Sequence, residues 1–116
     1  MFEKSFIAGA FSHTQVSAQQ ESAYTQAFAS ITQRMAAALQ AGVAANSDEM
    51  QLAVREHYDF ICQFWVPNRE TYKALALSYI LPTEYKDHYE EVSAGLGQYI
   101  YEAVCAFADA NLPPAE

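Results

Sequence analysis

The sequence predicts an all-α fold of about five helices with short connections. Three observations carry that expectation. Apolar residues recur at steps of three and four, no segment shows the period-two alternation of a strand, and helix-ending residues (Gly42, Pro67, Pro82) fall between the periodic stretches. A chain of 116 residues is one domain's worth, long enough to bury a single core. Its 52% hydrophobic content, with 4 Gly and 4 Pro, marks an ordered globular chain.

Residues 1–20 carry Phe2, Phe6, Ile7, Phe11 and Val16 among small and polar residues, with Gly9 in the middle. They read as a flexible arm or a loosely docked short helix. From Glu21, the residues Tyr24, Phe28, Ile31, Met35 and Leu39 line one face of a helix, and Gly42 stands where a helix ends. Asn46 and Glu49 have the spacing of a capping box and announce a second helix. Its stripe is Met50, Ala53, Val54, His57, Ile61, Phe64 and Trp65, and Pro67 stops it. Asn68 caps a third helix, with Glu70 in the first turn, where the helix dipole favours an acid, and Tyr72, Leu75, Ala76 and Tyr79 on one face. Pro82 and Thr83 close that helix and start a short fourth one holding Tyr85, His88 and Tyr89. Ser93 opens the last helix, whose stripe is Leu96, Ile100, Ala103, Val104 and Phe107, and Pro113 with Pro114 ends order. The helical domain thus spans 21–112, and 113–116 read as a disordered tail.

Charge removes one class of function. Six basic residues against 14 acidic ones give a net charge of −8, and Lys4, Arg34, Arg55, Arg69, Lys73 and Lys86 are too few and too scattered to neutralise a phosphate backbone. Nucleic-acid binding by this chain is rejected. The acidic surplus serves solubility and favours neutral or cationic partners. Polar residues break every apolar stretch well before the roughly 18 positions of a membrane span. Phe6 to Ala10 is too short for the roughly 7 to 15 apolar residues of a signal peptide. The expectation is a cytoplasmic protein that neither crosses nor binds a membrane. Cys62 and Cys105 form no CxxC pair and read as buried, inert thiols.

The chemistry concentrates between His57 and Tyr79, HYDFICQFWVPNRETYKALALSY, a helix, a sharp corner and a second helix. His57, Tyr58, Phe60, Phe64, Trp65, Asn68, Tyr72 and Tyr79 crowd this corner. Such a mix suits a packed helical elbow or one wall of an organic-ligand pocket, and the residues alone leave both readings open.

In this stretch the sequence resembles the TipAS antibiotic-recognition domain, the drug-binding effector part of MerR-type transcription activators. The resemblance runs from about Tyr24 to Ala108. It rests on Ala41-Gly42-Val43 before a helix, then His57, Ile61, Phe64 and Trp65 as a His-x-x-x-I-x-x-F-[YW] run. Leu75 and Tyr79 follow four apart, then Tyr89, then Gly95-Leu96 at the start of the final helix. The ordered set, more than any one piece, is specific. The resemblance implies a single globin-like bundle without haem that wraps around large, flat, mostly neutral antibiotics such as thiopeptides. It also implies an N-terminal portion that folds over the drug, a lid for which Phe2, Phe6, Ile7 and Phe11 would supply apolar surface. Three departures matter. Pro67 stands where thiopeptide-binding members have a Cys that adds covalently to the drug, so capture at that position is non-covalent. The DNA-binding and coiled-coil parts that precede the domain in the activators do not appear in this sequence. Leu81-Pro82-Thr83-Glu84-Tyr85 replaces the family's Asp-Pro-Arg-Phe turn, removing a basic residue.

Each candidate has a structural alternative. His57 either hydrogen-bonds a ligand amide or bonds a backbone carbonyl in the core. His13 and His88 have no partner at metal-ligand spacing and read as solvent-facing. Phe64 and Trp65 pack on the core or stack on a planar ligand, which would add about 0.5 to 1.5 kcal/mol per ring pair. Of the eight tyrosines, Tyr72, Tyr79, Tyr89 and Tyr99 are taken as ligand-binding, while Tyr24, Tyr58 and Tyr101 are taken as half-buried surface residues. With Ile61 and Asn68 these give the candidate set His57, Ile61, Phe64, Trp65, Asn68, Tyr72, Tyr79, Tyr89 and Tyr99. Catalysis finds little: His57 with Asp59, or Glu90 with Glu91, do not face each other on a helix. Glu84, Asp87, Glu90 and Glu91 read as a solvated face.

The expected function is non-covalent binding and sequestration of a bulky, planar or peptide-like antibiotic, thiopeptide-like or albicidin-like. The chain is then a drug-binding or resistance protein, or a drug-sensing effector module. No enzymatic role, cofactor or metal is expected, and a homodimer is open. The alternative is a protein-interaction or dimerisation module on the same fold, and a haem protein using His57 or His88 as axial ligand is a further rival.

Overall fold

The computed structural model describes residues 18–114, with side chains from residue 22. The described residues form five α-helices and no strand: α1 (Ala18–Gln40), α2 (Asp48–Ile61), α3 (Arg69–Leu77), α4 (Glu84–Val92) and α5 (Leu96–Asn111). The all-α expectation holds. The arm expected over 1–20 lies outside the described residues except for Ala18 to Gln20, which form the start of α1.

α5 is the hub, packing against α1, α2, α3 and α4. Its Leu96, Ile100, Ala103, Val104 and Phe107, the expected stripe, are buried, as are Phe28, Ile31 and Met35 of α1 and Met50, Ala53 and Val54 of α2. Burying such side chains is the main favourable term, about 1.5–3 kcal/mol for each large one.

The connections follow local chemistry. α1 ends in a Schellman motif: Gly42 takes φ 77°, its N–H bonds Leu39 O, and the Val43 N–H bonds Ala38 O. α2 is capped by Ser47, whose hydroxyl accepts from Met50 N at 3.2 Å, and not by Asn46 as the spacing with Glu49 suggested. Gln51 decides the register, because its amide holds Ala45 O and Ala103 O at 3.1 Å each and fixes the loop against α5. α2 also stops sooner than expected, at Ile61. Pro67 restricts only its neighbour Val66. The chain already tightens at Gln63 and Phe64, whose N–H groups bond Phe60 O and Ile61 O three residues back. That turn brings the Phe64 ring against Tyr24 and Phe60.

Asn68 caps α3 as expected, in a reciprocal box with Thr71. Arg69 ties this end of α3 to the far end of α5: its backbone N–H bonds Pro113 O and its guanidinium holds Leu112 O. Thr83 caps α4. The last helix is opened by Gly95 at φ 82°, with Leu96 as its first residue, while Ser93 closes α4. A left-handed backbone suits Gly95, not a serine. Two residues on, Gly97 lets α5 approach the Tyr79 carbonyl so closely that a Cβ there would sit 2.2 Å from the oxygen.

Candidate functional site

α2, α3, the α3–α4 connection and α4 deliver one connected set of polar aromatic side chains to the interior. His57, 0% exposed, sits between two tyrosines: its Nδ1 lies 2.7 Å from the Tyr72 hydroxyl and its Nε2 lies 3.3 Å from the Tyr79 hydroxyl. The Tyr79 ring stands edge-on to Tyr89, with centroids 4.8 Å apart. Tyr72, Tyr79 and Tyr89 are all buried.

Burial sets the charge state of this file. Desolvation lowers the His57 pKa to about 4, because a protonated imidazole would have to shed its water. Desolvation likewise pushes the Tyr72, Tyr79 and Tyr89 phenols above their ordinary value; neighbouring tyrosines add to the rise at Tyr72 and Tyr89, while at Tyr79 the adjacent Tyr89 hydroxyl works against it. At neutral pH all four groups are uncharged, and each remains a donor and an acceptor. The Tyr89 hydroxyl lies against that of Tyr79 without a regular hydrogen bond. Leaving a buried hydroxyl unpaired costs about 1–3 kcal/mol.

A wall of rings adjoins the polar file. Tyr24 meets Phe60 and Phe64, Phe60 meets Phe28, and Phe28 reaches His88 and Tyr89 with centroids 5.9 and 6.3 Å away. Tyr85, half-buried, packs on Tyr79. On the other side Tyr58 and Phe107 pack on Tyr72.

The nine expected residues therefore divide. His57, Tyr72, Tyr79 and Tyr89 come together, and Phe64 joins them through the ring wall, with Ile61 packed half-buried beside the core. His57 bonds tyrosine hydroxyls, neither of the two partners weighed from sequence. Trp65 is 44% exposed and Val66 beside it 73%. The Asn68 Oδ1 is committed to capping α3. Tyr99 donates to Val43 O at 2.8 Å and, among the described residues, makes no ring contact with the cluster.

Other expectations need correction. His88 is buried at 4%, not solvent-facing, because α4 turns His88 and Tyr89 together onto Phe28. Cys62 and Cys105 are free but half-buried, not buried. His13 lies outside the described residues. Tyr24, Tyr58 and Tyr101 are half-buried as read, and Glu84, Asp87, Glu90 and Glu91 are exposed. Sequence reasoning placed Phe60 at the corner without taking it into the candidate set, and missed Phe28, Tyr85 and His88 as members of the cluster. The i, i+4 pair Tyr24 and Phe28 on the α1 stripe was the available signal.

Chemically, the arrangement offers neutral hydrogen-bonding groups beside flat apolar surface. Asp59 is exposed while His57 is buried with both ring nitrogens engaged, so the two do not form an acid–base pair. No group of side chains among the described residues has the makings of a metal site. No described helix is long and apolar enough to cross a membrane.

No curated protein and no solved structure is significantly similar to the chain. The sequence profile of one family does match it, over residues 9–107, a span that takes in α1 to α4 and most of α5. By that match and its all-helical architecture, the chain belongs to the family of the TipAS antibiotic-recognition domain.

Proposed function

We propose that this protein is a ligand-recognition module that binds a bulky, planar or peptide-like antibiotic non-covalently and sequesters it. The observation that carries the reading is the juxtaposition of a ring wall, Tyr24, Phe64, Phe60 and Phe28, with the uncharged file of His57, Tyr72, Tyr79 and Tyr89. Flat rings bury a planar ligand, and neutral hydroxyls orient its amides without the desolvation cost of a charge. A net charge of −8 points to neutral or cationic ligands, thiopeptide-like or albicidin-like. In this reading the protein acts by binding and not by catalysis, and works in the cytoplasm.

Trp65 is the rim contact of this reading, since it stands 44% exposed directly after Phe64. Calorimetric titration with a thiopeptide and an albicidin-type compound tests it. One ligand should bind per chain. Trp65→Ala should weaken binding about fivefold or more while moving the melting temperature by no more than a few degrees, because an exposed ring contributes little to the core. No binding by any compound of the panel would sink sequestration. The exposed Trp65–Val66 pair also favours a second reading, a protein-interaction or dimerisation module. Its signature is a dimer in solution that Trp65→Ala dissociates.

A further inference from the structure

The Tyr89 hydroxyl is the one fully buried side-chain polar atom among the described residues that makes no hydrogen bond. Such orphans are rare in folded proteins, because nothing compensates the water that the group gives up. Tyr89 also stands at a particular point, the end of the file Tyr72, His57, Tyr79.

Donor bookkeeping along that file gives the orphan a direction. Neutral His57 has one N–H and one lone pair. The 2.7 Å contact at Nδ1 sits at the short limit for an N–H donor and in the middle of the range for a hydroxyl donor; with Tyr72 as the donor there, the imidazole proton resides on Nε2, facing the Tyr79 oxygen at 3.3 Å. The Tyr79 O–H is then free to turn towards the Tyr89 oxygen. Each group passes its donor one step along, and the last proton, on Tyr89, has no acceptor.

We infer that Tyr89 is the donor of a ligand subsite that takes a neutral acceptor oxygen, the carbonyl of an amide, ester or ketone, carried on an aromatic frame. The inference deepens the antibiotic-recognition reading and rests on it for the identity of the site. An acceptor is required because the file ends in a proton. Neutrality follows from the surroundings: a carboxylate would bring a further negative charge to a chain of net charge −8 and lose its water among the rings of Phe28, Tyr79 and His88. Those contacts are side chains, so an entering group has rings to displace.

The test uses two isosteric probes, acetophenone and α-methylstyrene, which differ in C=O against C=CH2, titrated into the whole protein and followed by NMR of the tyrosine and histidine side chains. Acetophenone should bind about five- to tenfold more tightly, the yield of one neutral hydrogen bond, and should shift Tyr89 and His57 together. Tyr89→Phe should abolish the preference while leaving the melting temperature within a few degrees, since the hydroxyl it removes makes no regular hydrogen bond. Absence of acetophenone binding, equal affinity for the probes, a preference that survives in Tyr89→Phe, or a melting temperature lowered by more than that in the variant would each overturn the inference. A parallel thiopeptide titration separates the two levels. Thiopeptide binding with undiminished affinity to Tyr89→Phe discards the subsite and leaves the antibiotic reading standing. Carbonyl preference without thiopeptide binding does the reverse.

Discussion

Acid should weaken this fold through His57, because burial holds its imidazole neutral. The imidazole is fully buried between two hydroxyls, and its pKa falls from 6.5 to about 4 on folding. Above 6.5 neither the folded nor the unfolded chain binds the proton, and the full stability is present. As the pH drops below that value the unfolded chain takes up a proton that the folded chain refuses until about 4, so the unfolding free energy declines throughout the window. Each unit of pKa difference is worth about 1.4 kcal/mol, and the loss accumulated on going from about pH 7.5 to about pH 4.5 is about 2.5 kcal/mol. The assay is urea unfolding followed by far-UV circular dichroism across this range, with wild type and His57→Phe side by side. The variant starts less stable, since Tyr72 and Tyr79 lose their partner, but it cannot titrate at this position. His88 and the carboxylates are present in both proteins and cancel in the difference. The gap between the two should shrink by about 2.5 kcal/mol as the pH falls. A gap that stays constant would refute the assignment of His57 as a buried neutral group.

Two further substitutions test the frame around the site by thermal or urea unfolding. Gly97→Ala puts a methyl group 2.2 Å from the Tyr79 carbonyl oxygen and should cost about 2 kcal/mol or more through forced separation of α5 from the α3–α4 connection. A neutral result would mean that this close approach is relaxed in solution. Asn68→Ala removes the cap of α3 and should cost about 1 kcal/mol. Its effect on ligand affinity should be no larger, because the Oδ1 is occupied by Thr71 and does not face a ligand.

Periodicity made the helices legible, because α1, α2 and α5 each show the core one continuous stripe. It read the ends less well. Asn46 and Ser47 are equally good caps locally, and a long-range bond from Gln51 to Ala103 O decides between them. Ser93 is a good cap by type, but the backbone needs a positive φ before α5, which Gly95 supplies. The site was half legible for the same reason. His57 and Tyr72 lie on stripes already recognised, and they meet because α2 and α3 both pack against α5. Trp65 looked like a stripe residue only while α2 was drawn through to Pro67, and the turn after Ile61 moves it to the surface. His88 was misread because a short polar helix gives little hint of which face is inward; the ring of Phe28, sixty residues earlier, supplies the answer.

The proton on His57 is where fold and function meet, and its position can be measured directly. A long-range 15N–1H correlation spectrum at neutral pH should show the Nε2–H tautomer, because the 2.7 Å contact at Nδ1 is shorter than the usual N–H donor distance and suits a hydroxyl donating to a lone pair. Tyr72→Phe takes that donor away and should change the tautomer balance, at a cost of about 1 kcal/mol. Tyr79→Phe removes only the longer contact of 3.3 Å and should leave the proton on Nε2. Finding the proton on Nδ1 would reverse every donor in the file. Tyr72 would then be the acceptor, the Tyr89 oxygen would have no donor turned towards it from Tyr79, and the surplus proton would point into the α3 side of the core, away from α4. The tautomer thus decides at which end of the buried file an acceptor can be received.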